Sequence, residues 1–484
     1  MAAGVSGRCQ YGVVPGRRRL PRSAPEQQGV DPAALLALVD ALVAVPELHS
    51  LMVVRHGHVV AEGWARPFAA DRLHLLYSLS KAVTATAVGL AEQDGLLSVD
   101  DLLVDHVRDE LPDDPPEHLA AMRLRDLLTM RTGHHHDPSN RVFAEPDWLR
   151  AFLALPVEHE PGTHFVYNTA ATYVLAAVVE RRAGVGLLEY LGPRLLEPLG
   201  VEGATWEVSP QGHVTGGFGL SLTTEDVAVL GQLLLQDGVW QGRRLLPEGW
   251  VAEASRAQVP AGPDPANDWG QGYGYQLWRS RHGYRGDGAF GQFCLVLPEH
   301  DLVVALTSGT STMDRQLVAV WEHLLPGLAG APLPDDDGAR SRLEERLAAL
   351  DLPVPSGAPT GASVHGRTLR LEPNRFGLTA VRLDDEGGRD LLTLHRGEEA
   401  VSVPVGRGVA APSLVRLESP FDEELLAAGA WPEPDVYELE LRLPLTPHAL
   451  RVRATVDGDD VRVEGAFNAY FQDLQVRLAG RFAD

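Results

Sequence analysis

The segment LHLLYSLSKAVTATAVGLAEQDG, residues 73–95, gives the clearest structural and chemical signal in the sequence. From Ser78 onward its apolar residues follow a helical period, and Gly95 suits a left-handed helix end. Ser78 and Lys81 stand three residues apart at the start of this helix, so they share one face and can hydrogen-bond. The positive end of the helix dipole favours a neutral lysine and the anion formed when a serine oxygen attacks. The stretch therefore predicts an activated serine.

Lys81 is the single lysine of the sequence, and the other 41 of the 42 basic residues are arginine. Arginine stays protonated at any ordinary pH, whereas a partly buried lysine can be neutral and accept a proton. A proton acceptor for Ser78 would explain why lysine occurs at this one position. The alternative is that codon bias replaced lysine by arginine elsewhere and that this one lysine remained by chance. A Ser-x-x-Lys tetrad alone is weak evidence for catalysis.

The composition is that of a globular protein, with 44% hydrophobic and 22% charged residues. The net charge of −24 is spread along the 484 residues, which argues against nucleic acid or an anionic membrane as a partner. No stretch reaches the roughly 20 apolar residues of a membrane span. The first residues also lack the apolar run of a secretory signal, so we expect a cytoplasmic protein.

Secondary-structure patterns divide the chain into two domains. Local patterns predict an N-capped helix that begins after Asp31 with Pro32 in its first turn, a hairpin around His56 and Gly57, and a strand at YGYQLW (273–278). In residues 1–330, strands and helices at both ends enclose a mainly helical middle, which predicts an α/β domain whose sheet is assembled from the two ends. Residues 331–360 have the proline-rich and glycine-containing composition of a linker. Residues 361–484 alternate in strand fashion between short turns, which predicts a small antiparallel barrel or sandwich.

Six segments, taken together and in this order, resemble the serine hydrolases related to class C β-lactamases, penicillin-binding proteins, D-alanyl carboxypeptidases and esterases. They are PRSAPEQQGVD (21–31), LYSLSK (76–81), RLRDLLTMRTGH (123–134), PGTHFVYNTAATYVLA (161–176), GGFGLSLTTEDVAVLGQLLLQDG (216–238) and GYRGDGAFGQFCLVLPEHDLVVAL (283–306). The resemblance implies a β-lactamase/transpeptidase-like α/β fold, with an antiparallel sheet flanked by helices and a helical subdomain. The C-terminal unit resembles the lipocalin-like barrel found on some members. No cofactor is expected.

The resemblance also assigns roles outside the tetrad. The Tyr-x-Asn motif of the family falls on Tyr167, Asn168 and Thr169, so Tyr167 is expected to face Ser78 and to pass a proton to the leaving group. Thr169 stands where asparagine is usual, and whether Asn168, one position early, compensates in binding a substrate amide is left open. In isolation, a tyrosine before an apolar helix is most often a packing residue.

The third family motif, lysine or histidine followed by x and glycine on an edge strand, aligns with the tripeptide GDG that ends at Gly288. The usual cation is missing there, and Arg285 is the candidate to supply it. The alignment implies an oxyanion hole made by the backbone N–H groups of Ser78 and Ala289. Asp287 is then expected to tune the site. Without the resemblance, the same residues would be interpreted as a glycine-rich turn.

Three consecutive histidines precede Asp137 in a predicted loop. Consecutive side chains in a loop point in different directions and lack the spacing of known metal sites, so we expect no metal there. The resemblance places this loop beside the mouth of the active site. We therefore expect His134 and its neighbours to line the substrate, an expectation that rests on analogy.

The sequence thus predicts a serine hydrolase that forms a covalent acyl-enzyme with a small-molecule or peptide substrate. The candidate substrates are an ester, a β-lactam or a D-amino-acid amide. Two alternatives are an acyl transferase or peptide cyclase that uses the same acyl-serine, and a catalytically silent ligand-binding scaffold. The barrel could narrow the cleft or mediate homo-oligomer formation, and the sequence leaves both open.

Overall fold

A computed structural model describes residues 5–12, 20–111, 114–260, 262–358, 361, 363–416, 422–472 and 474–483. The N-terminal stretch on which the expected location depends therefore lies partly outside the described residues. The chain forms two compact units. Unit 1 is Met1–Ser308 with Thr312–Leu350, and unit 2 is Gly309–Ser311 with Asp351–Asp484.

Unit 1 contains helices and short or medium strands. Its strands are β1 (Gly7–Gln10), β2 (Leu48–Arg55), β3 (His58–Trp64), β4 (His74–Leu75), β5 (Thr205–Val208), β6 (Leu220–Leu222), β7 (Val239–Trp240), β8 (Arg243–Arg244), β9 (Trp278–Arg279), β10 (Tyr284–Gly288), β11 (Gln292–Leu297) and β12 (Leu302–Ser308). Its helices are α1 (Pro32–Ala44), α2 (Ser80–Gln93), α3 (Glu117–Ala121), α4 (Leu124–Leu128), α5 (Ser139–Phe143), α6 (Trp148–Leu153), α7 (Thr169–Ala183), α8 (Leu187–Leu191), α9 (Glu197–Leu199), α10 (Thr224–Leu235), α11 (Trp250–Ser255), α12 (Met313–Ala319) and α13 (Asp337–Ala348).

The main sheet of unit 1 is antiparallel, with the order β3-β2-β12-β11-β10-β9. Strand β2 from the N-terminal part pairs with β12, which lies some 250 residues later, and Val53 stands opposite Val304. This pairing confirms the prediction that the two ends of the segment build one sheet. At the other edge, β9 pairs only with Tyr284 and Arg285 of β10. Within the described ranges, the remainder of that edge of β10 has no strand neighbour.

Helices α2 and α7 form the centre of unit 1, because both are buried on every side over most of their length. Such helices are apolar all round and not only along one stripe. Helix α2 packs against α7 and against β10. Gly89 is required in α2, since a Cβ there would lie 2.4 Å from the indole of Trp250. The helix that begins near Ser78 is thus held rigidly between the sheet and the helical region.

The structure differs from the sequence-based expectation at YGYQLW, which alternates like a strand. Only Trp278 of this segment lies in a strand. Gln276 has a φ of 59°, and its side-chain amide donates to the carbonyls of Leu127 and Leu128. Side-chain hydrogen bonds to the helical region therefore replace the strand ladder. The glycine-rich segment that follows forms β10, because it pairs in register with β11.

Unit 2 is a closed barrel. Its strands are β13 (Thr368–Leu371), β14 (Ala380–Asp385), β15 (Arg389–Arg396), β16 (Glu399–Arg407), β17 (Ala411–Val415), β18 (Glu423–Glu433), β19 (Val436–Arg442), β20 (Ala449–Asp457), β21 (Asp460–Phe467) and β22 (Gln475–Phe482). Nine of them, among the described residues, run in the order β16-β15-β14-β13-β22-β21-β20-β19-β18. A short parallel pairing of β16 with β18 closes the ring, and β17 pairs with the preceding residues of β18 on the same edge. The predicted barrel is confirmed.

Helix α13 lies within the segment predicted to be a linker. Its N-cap Asp336 accepts a hydrogen bond from the backbone of Ala339, and the helix packs against α1 and β3 of unit 1. No helix in the described ranges combines the length and apolar character needed to cross a bilayer.

Candidate active site

Ser78 lies in a tight helical turn, Tyr77–Leu79, that runs directly into α2. Tyr77 has a φ of 48°, a left-handed conformation that costs a non-glycine residue about 1–2 kcal/mol. This turn places Ser78 in the first turn of the helical segment, where backbone N–H groups have no partner within the helix. Ser78 is half-buried, whereas Lys81 is only 1% exposed. The expected position of the serine at a helix start is confirmed.

The amine of Lys81 points at the serine. Its Nζ donates hydrogen bonds to Ser78 Oγ at 2.9 Å and to the carbonyl oxygen of Gly217 at 2.7 Å. A carbonyl can only accept, so the Gly217 carbonyl binds one N–H of the Lys81 amine. When the amine is neutral, its nitrogen lone pair is then free to face Ser78.

Gly217 was not identified from the sequence as a site residue. It belongs to a loop wedged between α2 and α7, where Thr84 of α2 donates to the carbonyl of Gly216 at 2.8 Å. A Cβ on Gly217 would lie 2.7 Å from Thr169 Cγ2 and 2.9 Å from the Thr169 carbonyl oxygen. Only glycine therefore lets this carbonyl reach Lys81. The available signal was the GGFG segment of the family resemblance.

Complete burial lowers the pKa of Lys81 from 10.5 to about 7, and the negative charges of Asp137 and Asp287 limit the fall. Desolvation is the dominant cause, since it disfavours the ammonium form. A substantial fraction of Lys81 is therefore neutral at neutral pH and able to take a proton.

Tyr167 joins Ser78 and Lys81. The Ser78 side chain lies close enough to its hydroxyl to influence the pKa of the phenol, and Lys81 Nζ lies 4.9 Å from the centre of its ring. The ring stacks on Trp278 at 5.6 Å, with an angle of 20° between the planes. Burial raises the pKa of Tyr167 above its ordinary value, so the phenol stays protonated. Trp278, which fixes the ring, was not singled out from the sequence.

Asn168 and Thr169 follow Tyr167 at the start of α7. The Asn168 side-chain oxygen accepts from the backbone N–H of Ala171 at 3.1 Å and caps the helix. Its amide nitrogen donates to Thr132 Oγ1 at 3.2 Å. Both polar ends of Asn168 are thus used inside the protein, and Asn168 and Thr169 are both buried. The structure places Asn168 as a cap that fixes the start of α7 next to Tyr167.

Strand β10 passes directly beside the serine turn. A Cβ on Gly288 would lie 2.1 Å from the carbonyl oxygen of Leu76, so only glycine permits this approach. Ala289 follows at the end of the strand, and Gln292 donates to its carbonyl at 3.1 Å. Within the described ranges, the backbone N–H of Ala289 donates no hydrogen bond to the backbone. The end of β10 therefore lies against the turn that carries Ser78.

Arg285 is fully buried and its charge is neutralised. Its Nε donates to Asp287 Oδ2 at 2.9 Å, and the guanidinium also donates to the carbonyl of Asp268 and to Ser280 Oγ. Burial raises the pKa of Asp287, and the neighbouring Arg285 opposes that change. Arg285, which was expected to replace the missing cation of the third motif, is thus paired with Asp287 inside the protein. Its guanidinium is not exposed to a substrate at this position.

The histidine loop is divided between interior and surface. His134 is 3% exposed, lies 2.8 Å from Thr132 Oγ1 through its Nδ1, and packs on Phe152. Burial lowers its pKa to about 4, so it is a neutral packing residue. His135 and His136 are exposed. The structure therefore does not group His134 with Ser78, Lys81 and Tyr167.

Fold and site together define a serine hydrolase of the Ser-x-x-Lys class. A family model described as Beta-lactamase matches residues 37–325, and the chain belongs to this family. The family, fold class and enzyme class predicted from the sequence are thereby confirmed.

Two relatives and one solved structure illustrate the similarity. A 6-aminohexanoate-dimer hydrolase of Paenarthrobacter ureafaciens is 28% identical over 331 residues, which is 61% of this chain and 83% of the relative. A lovastatin esterase of Penicillium rubens is 26% identical over 287 residues, covering 44% of this chain and 71% of the relative. A provisionally named 6-aminohexanoate-dimer hydrolase from Bacillus anthracis has the same fold, with a TM-score of 0.52 at 19% identity over 65% of this chain and 88% of that structure.

Proposed function

We propose that the protein hydrolyses a carboxylic ester or amide through an acyl-enzyme on Ser78, with Lys81 as the proton acceptor and Tyr167 as the proton donor to the leaving group. The observation that carries this proposal is the 2.9 Å hydrogen bond between Lys81 Nζ and Ser78 Oγ. It joins a hydroxyl to a fully buried amine whose pKa lies at about 7.

In acylation, Ser78 Oγ forms a bond to the carbonyl carbon of the substrate while its proton moves to the neutral Nζ of Lys81. The carbonyl π electrons move onto oxygen, and the N–H groups of Ser78 and Ala289 stabilise that negative charge. Collapse of the tetrahedral intermediate breaks the bond to the leaving group. The leaving group takes a proton from the Tyr167 hydroxyl, which recovers one from Lys81.

Deacylation repeats these steps with water as the nucleophile. Water adds to the ester carbon, its proton passes to the Lys81–Tyr167 pair, and Ser78 leaves with a proton to regenerate the starting state. Hydrolysis consumes one water and returns every proton, so the residues present account for the whole cycle.

The ion pair on β10 supports a neutral ester or amide over a substrate that needs its carboxylate bound. A β-lactam or D-alanyl peptide carries such a carboxylate, and its recognition requires an accessible cation. Here Arg285 is fully buried and bonded to Asp287. We therefore infer that simple esters are better substrates than β-lactams. The name of one relative, the lovastatin esterase, agrees with an ester substrate.

The test is hydrolysis of p-nitrophenyl acetate and nitrocefin by the full chain, with a fluorophosphonate probe to label the nucleophile. We expect ester hydrolysis to exceed nitrocefin hydrolysis, and Ser78→Ala and Tyr167→Phe to lower kcat by about 100-fold or more. Ser341→Ala is the matched control, because Ser341 is exposed on α13 and should keep wild-type activity and labelling.

Recovery of the probe on a peptide that contains Ser78 would support Ser78 as the nucleophile. Activity that survives Ser78→Ala, or labelling at another residue, would overturn it. Adding an amine during turnover and analysing the products distinguishes hydrolysis from acyl transfer, since a transferase would form the amide at the expense of the free acid.

We further propose that residues 1–330 form the hydrolase domain, that 331–360 link it to the barrel of residues 361–484, and that the protein acts in the cytoplasm. Limited proteolysis of the full chain tests the linker, because cleavage should concentrate in its last part, after the packed helix α13 ends at Ala348. Light scattering measures whether the chain forms homo-oligomers.

A further inference from the structure

Three histidines from two separate loops converge on the surface of unit 1. His135 follows the turn after α4, whereas His159 and His164 lie between α6 and α7. Each offers one imidazole nitrogen, and the three nitrogens lie within 4.8 Å of one another. His135 Nδ1 and His159 Nε2 are 2.9 Å apart, and the rings of His159 and His164 stack at 4.2 Å.

We propose that His135, His159 and His164 bind a zinc-class divalent transition-metal ion. Imidazole is a preferred ligand of zinc, with Zn–N bonds of about 2.0–2.1 Å, so the nitrogens of a tetrahedral site lie about 3.3 Å apart. One pair is now slightly closer than this and the others lie within 4.8 Å. Small rotations of the side chains bring all three to the required spacing. Water or a carboxylate completes the fourth position.

The backbone under these rings is already fixed. The N–H of His159 donates to the carbonyl of Gly133 at 2.8 Å, and the N–H of His135 donates to Glu158 Oε2 at 3.1 Å. Gly133 has a φ of 88°, and a Cβ there would lie 2.3 Å from the His159 carbonyl oxygen. The two loops are thus held against each other before any metal arrives, which lowers the entropic cost of assembling the ligands.

His135 is exposed and the other two rings are half-buried, so a metal ion can reach the cluster from solution. The ion would cross-link the loop that ends at Asp137 to the segment that leads into Tyr167. Such a clamp would stiffen two segments beside the proposed active site without taking part in the reaction. The inference is independent of the proposed hydrolytic function, because binding is measured without substrate.

The test uses full-length protein without a histidine tag, and zinc chloride as the titrant in isothermal calorimetry. We expect one zinc ion per chain and binding at least about tenfold weaker in His135→Ala, His159→Ala and His164→Ala. His136→Ala is the matched control. It is exposed and its ring packs on that of His135 at 4.4 Å, but it lies outside the triad, so it should change the affinity clearly less than any of the three substitutions.

A second measurement needs no substitution. Cobalt(II) added to the wild-type protein should give the strong visible absorption of a four-coordinate site, which zinc then displaces. The absence of saturable zinc binding, or the weak spectrum of a six-coordinate cobalt ion, would overturn the proposal. So would an affinity that depends on His136 as much as on the three named residues.

Discussion

Replacing Lys81 by methionine should abolish acylation of Ser78 and, near neutral pH, make unit 1 more stable. Methionine is unbranched and similar in length, so it can fill the same buried space without an amine. The wild-type chain must remove that amine from water, where its charged form is well solvated. The substitution removes this cost together with the chemistry.

The size of the effect follows from the pKa of Lys81, which burial lowers from 10.5 to about 7. Between these two values the unfolded chain binds more protons than the folded chain, so the free energy of unfolding of the wild type rises with pH. At about 1.4 kcal/mol per tenfold change in proton affinity, burying Lys81 costs about 4 kcal/mol at pH 7 and about 2 kcal/mol at pH 9. Lys81→Met also loses the two hydrogen bonds to Ser78 and Gly217, which lowers its stability by about 2 kcal/mol at both pH values. Lys81→Met should therefore be about 2 kcal/mol more stable than the wild type at pH 7 and about equal at pH 9.

Urea unfolding of the wild type, Lys81→Met and Ser78→Ala at pH 7 and pH 9 measures this difference. The transition of unit 1 is the one to compare, because the substitutions lie there. Ser78→Ala keeps the lysine, so its free energy of unfolding should change with pH in parallel with that of the wild type. Loss of ester hydrolysis in Lys81→Met, by at least about 100-fold, checks the catalytic half.

The decisive quantity is the change in the stability difference between pH 7 and pH 9, because the hydrogen-bond contribution is the same at both. If the wild type and Lys81→Met differ by the same free energy at both pH values, Lys81 titrates elsewhere and the proposed neutral amine is wrong. Undiminished ester hydrolysis in Lys81→Met would refute the role of proton acceptor directly.

Three further predictions concern pH, strand β10 and the cap of α7. The kcat/KM for p-nitrophenyl acetate should rise with a midpoint at a pH of about 7 and then level off, because only neutral Lys81 accepts the serine proton. A rise centred near 10.5, the ordinary pKa of lysine, would contradict this prediction. Gly288→Ala should lower kcat/KM about 100-fold, because its Cβ would lie 2.1 Å from the Leu76 carbonyl oxygen. Gly186→Ala, whose added Cβ meets open space, should leave the kinetics unchanged, and equal losses in both variants would count against the argument. Asn168→Ala should reduce the free energy of unfolding by about 1–2 kcal/mol, since it removes the helix cap. Urea denaturation would show Asn168→Ser recovering part of this loss, because serine keeps a neutral capping oxygen at a buried position. An unchanged midpoint in Asn168→Ala would exclude the capping role.

Local sequence signals predicted much of the fold. Asp31 caps α1 with Pro32 in its first turn, as the sequence indicated, and the hairpin of β2 and β3 turns at residues 56 and 57. The segment YGYQLW was predicted wrongly, because alternation cannot show that Gln276 bonds to carbonyls about 150 residues away. Tertiary hydrogen bonds overrode the local strand preference.

The site was predictable where its parts are close in sequence. Three-residue spacing put Ser78 and Lys81 in contact, whereas the carbonyl of Gly217 comes from 136 residues further along. The pairing of Arg285 with Asp287 could have been anticipated, because residues two apart on a strand share a face. The grouping of His135 with His159 and His164 depends on three-dimensional proximity. The run of consecutive histidines suggested instead that His135 should be considered with its sequence neighbours.

Because the chain has a single lysine, and that lysine is the buried partner of Ser78, the protein supplies its own spectroscopic reporter. Isotope-labelled lysine would introduce one side-chain amine signal into a protein of 484 residues, so no resonance assignment would be needed. Acylation, inhibitor binding and changes in hydration around the amine could each be followed on that signal in solution, in the full-length and otherwise unaltered protein.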